Sequence, residues 1–233
     1  MGAFQGIRPE GLMLLAENRL RDSKAFYDEH KEQIGTLVRQ PMMRLIEDLA
    51  PMMAKIDPEI RLEPARMVSR VRRDTRFTKD KSMYRENVWI AFERPSDGAP
   101  TPGFWFEVSP DHYIYGAGIM NQPPRLMELF RREIEKDVPA FLRMLRPILR
   151  QFAIDGDKYA RPKKSDLKPP VSEFYARKSV YLSHTEVGLD GAAAPALADE
   201  LAERYKLLAP YYRFALRVCE TFNAEGGQDN NRR

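Results

Sequence analysis

Apolar residues recur at helical spacing through the first fifty positions and then give way to alternation. Leu12 and Leu15, with Arg19 next on the same stripe, predict a helix that starts at Pro9, whose fixed φ suits a first turn. Asp22 or Ser23 is placed to cap a second helix, striped by Tyr27, His30, Ile34 and Val38. Pro41 opens a third, with Met42, Leu45, Ile46, Leu49 and Met53 on one face, a methionine-rich stripe of the kind that fills cores. Beyond residue 67 the period shortens to two. Strands are predicted over residues 68–73, 87–92, 104–109 and 113–118, which are rich in aromatic and β-branched side chains. The Pro/Gly-rich residues 94–103 read as a loop and residues 109–112 (SPDH) as a hairpin turn, so the sheet is expected to be antiparallel.

Helical spacing returns at Pro124 with Leu126, Phe130 and Ile134. Asp137 caps a further helix carrying Phe141, Leu145, Ile148 and Phe152, which Pro147 should kink or break. Residues 155–170 are polar and Pro/Lys-rich and read as a loop, residues 178–183 as a last strand. Two C-terminal helices are expected near Pro195 and Pro210, the first lined by Leu197, Leu201, Tyr205 and Leu208. The fold class is therefore α+β: an antiparallel sheet of about four to five strands packed with N-terminal and C-terminal helices. With no repeat and no long linker, residues 1–223 read as a single domain and residues 224–233 as a disordered tail.

Length and composition narrow the setting. The 233 residues are enough to bury one full core. No apolar run approaches the ~20 residues that cross a membrane, and the start lacks a secretory pattern. Gly6 stands where N-myristoylation needs Ser or Thr. Cys219 is the only cysteine, which excludes an internal disulfide and a thiolate metal cluster. A cytoplasmic location without a membrane partner is the expectation.

The net charge of +4 is modest, but its distribution is not. Residues 66–86 hold eight Lys or Arg against three Asp or Glu, and residues 157–178 hold seven against three, on an otherwise acidic body. Within the first lies R-V-R-R-D-T-R-F-T-K-D-K-S-M-Y, residues 70–84. Alternation sets Arg70 and Arg72 on one face, Val71 and Arg73 on the other. Asp74-Thr75 can turn the chain, and Thr78 or Ser82 can cap a short helical turn beside Lys79 and Lys81. Backbone donors flanked by guanidinium forks suit a phosphate or carboxylate. Phe77 would add a stacking face and Tyr84 a hydrogen bond. The interleaved Asp74 and Asp80 equally suit an internal salt-bridge lattice, and the two readings stand level on chemistry alone.

The phrase RDTRFTKDKSMY resembles the RDTRFSKDKTPY signature of the domain-of-unknown-function 2461 family. Other pieces fall in matching order. Asp22-Ser23-Lys24-Ala25-Phe26-Tyr27 is similar to the family's Asn-x-Arg-x-Trp-Phe, and Pro102-Gly103-Phe104-Trp105 to its Pro-Gly-Phe-Tyr strand. Gly116-Ala117-Gly118 resembles its Gly-Ala-Gly strand, and Ala176-Arg177-Lys178 the start of a late strand. The chain departs from the pattern at Phe26 (Trp), Asp22 (Asn) and Met83 (Pro). The resemblance covers residues 4–215. It implies one domain and no particular activity, and it places Arg70, Arg73, Asp74, Arg76, Lys79, Asp80, Lys81 and Tyr84 in the central motif.

Other chemistry is thinly signalled. His30, His112 and His184 are not spaced as metal ligands. No nucleophile elbow, dinucleotide fingerprint or P-loop is present, and no cofactor is predicted. Gly116-Ala117-Gly118 reads as a strand approached closely by another segment. The expectation is a small anionic ligand held by the eight motif residues, as an enzyme or as a binding protein. The alternatives are a module for nucleic acid or an acidic protein, using both basic segments, and a purely architectural motif.

Overall fold

The computed structural model describes residues 3–76, 78–119, 122–161 and 166–226. Helices α1 (Pro9–Arg21), α2 (Lys24–Ile34), α3 (Gln40–Ile56) and the short α4 (Pro64–Met67) come first. Strands β1 (Val88–Glu93), β2 (Pro102–Val108) and β3 (His112–Ile119) follow, then helices α5 (Pro124–Lys136) and α6 (Val138–Ile148). Strand β4 (Ala153–Asp155), helix α7 (Val171–Ala176), strand β5 (Tyr181–Val187) and helices α8 (Asp190–Ala193) and α9 (Leu197–Ala224) complete the order. The five strands form one antiparallel sheet in the order β1-β2-β3-β5-β4. The α+β class and the strand number read from the sequence both hold.

Local chemistry sets the boundaries. Pro9 sits in the first turn of α1. The Ser23 hydroxyl caps α2 by accepting from the Phe26 N–H, and the Asp137 carboxylate caps α6 by accepting from the Ala140 N–H at 2.9 Å. A π-turn, Gly35–Arg39, joins α2 to α3. The β2–β3 hairpin closes where the Ser109 N–H donates to the His112 carbonyl at 2.9 Å. β4 pairs with β5 with Ile154 opposite Leu182.

Four expectations are corrected. Residues 68–73 are extended but form no strand, for a reason given with the site below. β4 lies at the edge of the stretch read as a loop; three residues are too few to show a period. α6 ends at Ile148, and Phe152, although buried, lies beyond it, because Pro147 removes a donor near the helix end. The two C-terminal helices are one, with Pro210 inside α9. Leu208, Ala209, Tyr211 and Tyr212 are all buried around that proline, so tertiary packing overrides its local cost. The tail expected over residues 224–233 lies outside the described residues from position 227 on; Ala224 closes α9.

The chain divides into two compact units. The first comprises Met1–Phe92, Trp105–Tyr115 and Thr185–Glu203. It buries Leu12, Leu15, Leu45, Ile46 and Leu49 from its helices and Ile90, Phe106 and Tyr113 from its strands. The second comprises Glu93–Phe104, Gly116–His184 and Arg204–Arg233. There the Phe104 ring lies 4.7 Å from Tyr212 and 5.2 Å from Tyr205, and Phe130 and Phe141 each meet Phe174 and Phe214. Arg131, buried on the inner face of α5, donates to the carbonyls of Phe174 and Arg177 and so satisfies the end of α7. No helix among the described residues is long and apolar enough to cross a membrane.

Gly118 shows the close approach that the Gly-Ala-Gly pattern suggested. A Cβ there would stand 2.5 Å from Tyr181 Cβ and 2.8 Å from Tyr181 Cα. Gly118→Val is expected to cost about 1–3 kcal/mol or more, because β5 backbone must move. The denaturation midpoint should fall at unchanged m-value; a wild-type midpoint would show that β3 and β5 need no such gap.

Candidate functional site

The charged motif lies wholly within the first unit. Residues 68–73 run antiparallel to residues 83–90, and the two touch as an irregular ribbon. Val68 bridges Ile90 and Arg72 bridges Tyr84. Between these bridges lie three residues on one side (69–71) and five on the other (85–89), so two extra residues bulge out between Arg85 and Trp89 and break the ladder. This is why alternation is present without a strand: Arg70 and Arg72 are exposed while Val71 and Arg73 turn inward. The Arg73 N–H donates to the Met83 carbonyl at 2.8 Å and the Arg85 N–H to the Val71 carbonyl at 2.9 Å, closing a loop over residues 73–83.

Asp80 is the hub of that loop. Its Oδ2 accepts from Arg73 at 2.5 Å and from Arg19 of α1 at 2.6 Å. Its Oδ1 accepts from the Ser82 N–H at 3.0 Å and the Ser82 hydroxyl at 2.8 Å. The Ser82 backbone bond first, then Arg73, the Ser82 hydroxyl and Arg19, hold the Asp80 carboxyl far below the usual carboxylate range. Asp74 makes a separate clamp: both its oxygens accept from the Arg76 side chain, and Oδ1 also takes the Arg76 N–H. That pairing lowers the Asp74 pKa to about 2. Lys81 Nζ donates to the Thr75 carbonyl at 2.9 Å, and the Thr78 hydroxyl to the Asp80 carbonyl at 2.7 Å. The loop is fastened to the end of α1 twice more. Asp22, in a left-handed conformation, accepts from the Met83 N–H at 2.6 Å, and Arg19 donates to the Tyr84 carbonyl at 3.4 Å.

The remaining motif residues divide by exposure. Arg70, Arg72 and Lys79 are exposed, and their side chains form no hydrogen bond or ion pair with the described residues. Tyr84 is buried, its ring 5.0 Å from that of Tyr27, and burial raises its pKa. Phe77 lies outside the described residues. The loop therefore carries Arg73 bonded to Asp80, Asp74 clamped to Arg76 and Lys81 tied to the Thr75 carbonyl, with Arg70 and Lys79 exposed and Tyr84 buried.

Three residues outside the motif belong to the same place. Arg19 was legible as an arginine on an apolar helical stripe, a position that asks for a buried-side partner. Arg85 stacks its guanidinium on Trp89, with Cζ 4.4 Å from the ring centroid. It makes no ion pair with the described residues, its Nε is buried without a hydrogen-bond partner, and burial, then Arg73, depresses its pKa. The Glu107 carboxylate on β2 is taken up by the Asn87 amide at 2.8 Å. Nothing in residues 85–89 alone announced the stack; it depends on the bulge that turns Arg85 back over Trp89.

The other candidates stand apart. His30 pairs with the Phe26 carbonyl, His112 with Asp111 and His184 with the Gln151 carbonyl. Among the described residues no group of three His, Cys, Asp or Glu is arranged to hold a metal ion. Cys219 is buried, which raises its thiol pKa to about 12. In the second basic segment Arg177 is buried and pairs with Glu173 at 3.3 Å, Lys158 reaches Glu173 at 3.8 Å, and Lys163 and Lys164 lie outside the described residues.

Residues 10–214 match the model of a family described as a conserved hypothetical protein, DUF2461. No curated protein matches the chain.

Proposed function

The chain belongs to the DUF2461 family, and for this member of it we propose that the ribbon and loop of residues 70–85 bind a small anionic ligand bearing a phosphate or a carboxylate. One observation carries the reading: the acids of the motif are consumed inside it, and positive charge is left over on a fixed frame. Asp74 is taken by Arg76, and Asp80 is shared by Arg19 and Arg73. Arg70 and Lys79 keep no counter-ion among the described residues, and Lys81 meets only a carbonyl. A loop whose backbone is already held by its own side chains loses little further entropy when it captures an anion. Arg73 and Lys79 are the direct contacts in this reading. Asp74, Arg76, Asp80 and Lys81 orient them, Arg70 adds attraction, and Tyr84 supports the ribbon from below.

Thermal shift against inorganic phosphate and citrate, at ionic strength fixed with NaCl, tests it. A ligand at a hundred times its Kd adds about 2.7 kcal/mol of stability. Stabilisation beyond the NaCl control is expected for the wild type, and Arg73→Ala combined with Lys79→Ala should abolish it. No stabilisation by either anion would overturn the reading. A second reading rests on the exposed pair Arg70 and Arg72, which suits a nucleic-acid backbone. It predicts oligonucleotide affinity that falls linearly on logarithmic axes as salt rises, with a slope reduced by about one when either arginine is removed.

A further inference from the structure

The ribbon register places two arginines together. Val71 lies opposite Arg85 and Arg73 opposite Met83, so Arg73 and Arg85 are diagonal neighbours on one face. Such neighbours are about 7–8 Å apart, within reach of one another's side chains. The two guanidinium groups differ in how they are engaged. Arg73 ends on Asp80, which it shares with Arg19. Arg85 sits over the Trp89 indole, with no acid at ion-pair distance among the described residues. Stacking fixes the plane of a guanidinium and leaves its edge for hydrogen bonding. Since Nε is buried, the free edge is the Nη1–Nη2 end.

Charge then selects the ligand. The charged groups at this loop are Arg19, Arg73, Arg85, Lys79 and Lys81 against Asp22, Asp80 and Glu107. Asp74 and Arg76 neutralise each other. Two positive charges remain, more than one carboxylate can offset. A carboxylate also offers only two oxygens, which a single guanidinium edge occupies. A phosphate monoester offers three oxygens and close to two negative charges near neutral pH. We infer that the ligand is a small phosphate monoester bound as its dianion between Arg73 and Arg85, with Trp89 as the plate that orients Arg85. This rests on the anion-binding reading above and narrows it to one chemical class.

Calorimetric titration at constant ionic strength tests the inference on the full chain, with glycerol phosphate, inorganic phosphate, dimethyl phosphate and acetate as probes. Glycerol phosphate and inorganic phosphate should bind at least about tenfold more tightly than the singly charged dimethyl phosphate and acetate, a difference of about 1.4 kcal/mol. Affinity for the monoester should fall as pH drops through its second ionisation, near pH 6, while acetate binding stays level over the same range. Arg85→Lys keeps the charge and loses the fork and the stack, so it should remove most of the monoester preference at an unchanged circular dichroism spectrum. Trp89→Phe, which keeps a ring, should lower it less. Equal binding of acetate and monoester would overturn the dianion inference and leave the anion reading standing. Monoester binding that Arg85→Lys does not touch would overturn the placement. Failure of every probe would take the anion reading down with it.

Discussion

Tyr84→Ala is expected to lower the unfolding free energy by about 3–5 kcal/mol, the range for emptying a buried aromatic site. Tyr84 is 2% exposed and underlies the ribbon beside Tyr27. Its loss removes buried apolar area and a stacked partner, the second worth about 0.5–1.5 kcal/mol by itself. The carbonyl of the same residue accepts from Arg19, and its backbone bridges Arg72, so collapse around the gap also shifts the loop. Tyr84→Phe separates the two roles open to this residue. No described residue hydrogen-bonds its hydroxyl, so the phenylalanine variant should stay within about 1 kcal/mol of wild type and keep its response to phosphate. Urea denaturation of both variants, with the m-value as a check on the unfolded state, reads the stabilities. A phenylalanine variant that is stable but no longer responds to phosphate would instead make the hydroxyl a ligand contact.

The motif's composition was legible because its parts are neighbours in the chain. Asp74 and Arg76 are two residues apart, Asp80 and Ser82 likewise, and Arg73 reaches Asp80 across one loop. Short-range spacing can show such pairs. It cannot show that Arg19, sixty-one residues away, closes on the same carboxylate oxygen. Nor can it show that a two-residue bulge turns Arg85 onto Trp89. The same division runs through the fold. The helical stripes and the segments of β1, β2 and β3 set their own periods and lie where they were expected, whereas β5, Tyr181–Val187, begins three residues and ends four residues beyond the expected 178–183. Residues 68–73 carry a true alternation, yet the register slip against residues 83–90 leaves only two bridges. Pro210 carries a strong local signal that long-range burial overrules. Local propensity reads what neighbours decide, and the site was completed by residues that are not neighbours.

Asp80→Asn distinguishes a lattice that only fastens the loop from one that also frames a ligand, because the two effects have opposite signs. The substitution leaves an oxygen for the Ser82 N–H but removes the charge that Arg19 and Arg73 share. Two guanidinium groups then face each other without a counter-ion, and the loop loses its strongest tie to α1. Protection of the Arg73 and Ser82 amides from hydrogen exchange should fall by about tenfold or more, as local opening becomes easier. The pH dependence has a definite sign. A carboxyl whose folded pKa is depressed contributes its full stabilisation above the unfolded value, about 3.9. That contribution is lost as pH falls below this value towards the much lower folded pKa. Wild-type loop protection should therefore decline only in that acid window, and Asp80→Asn, which leaves nothing to titrate at this position, should remove the decline. Phosphate affinity moves the other way. One negative charge fewer beside Arg73 and Arg85 should strengthen phosphate binding several-fold at low ionic strength, with the gain shrinking as salt screens it. A motif that serves only as architecture gives the loosened loop without the tighter anion, and a motif that frames a ligand gives both.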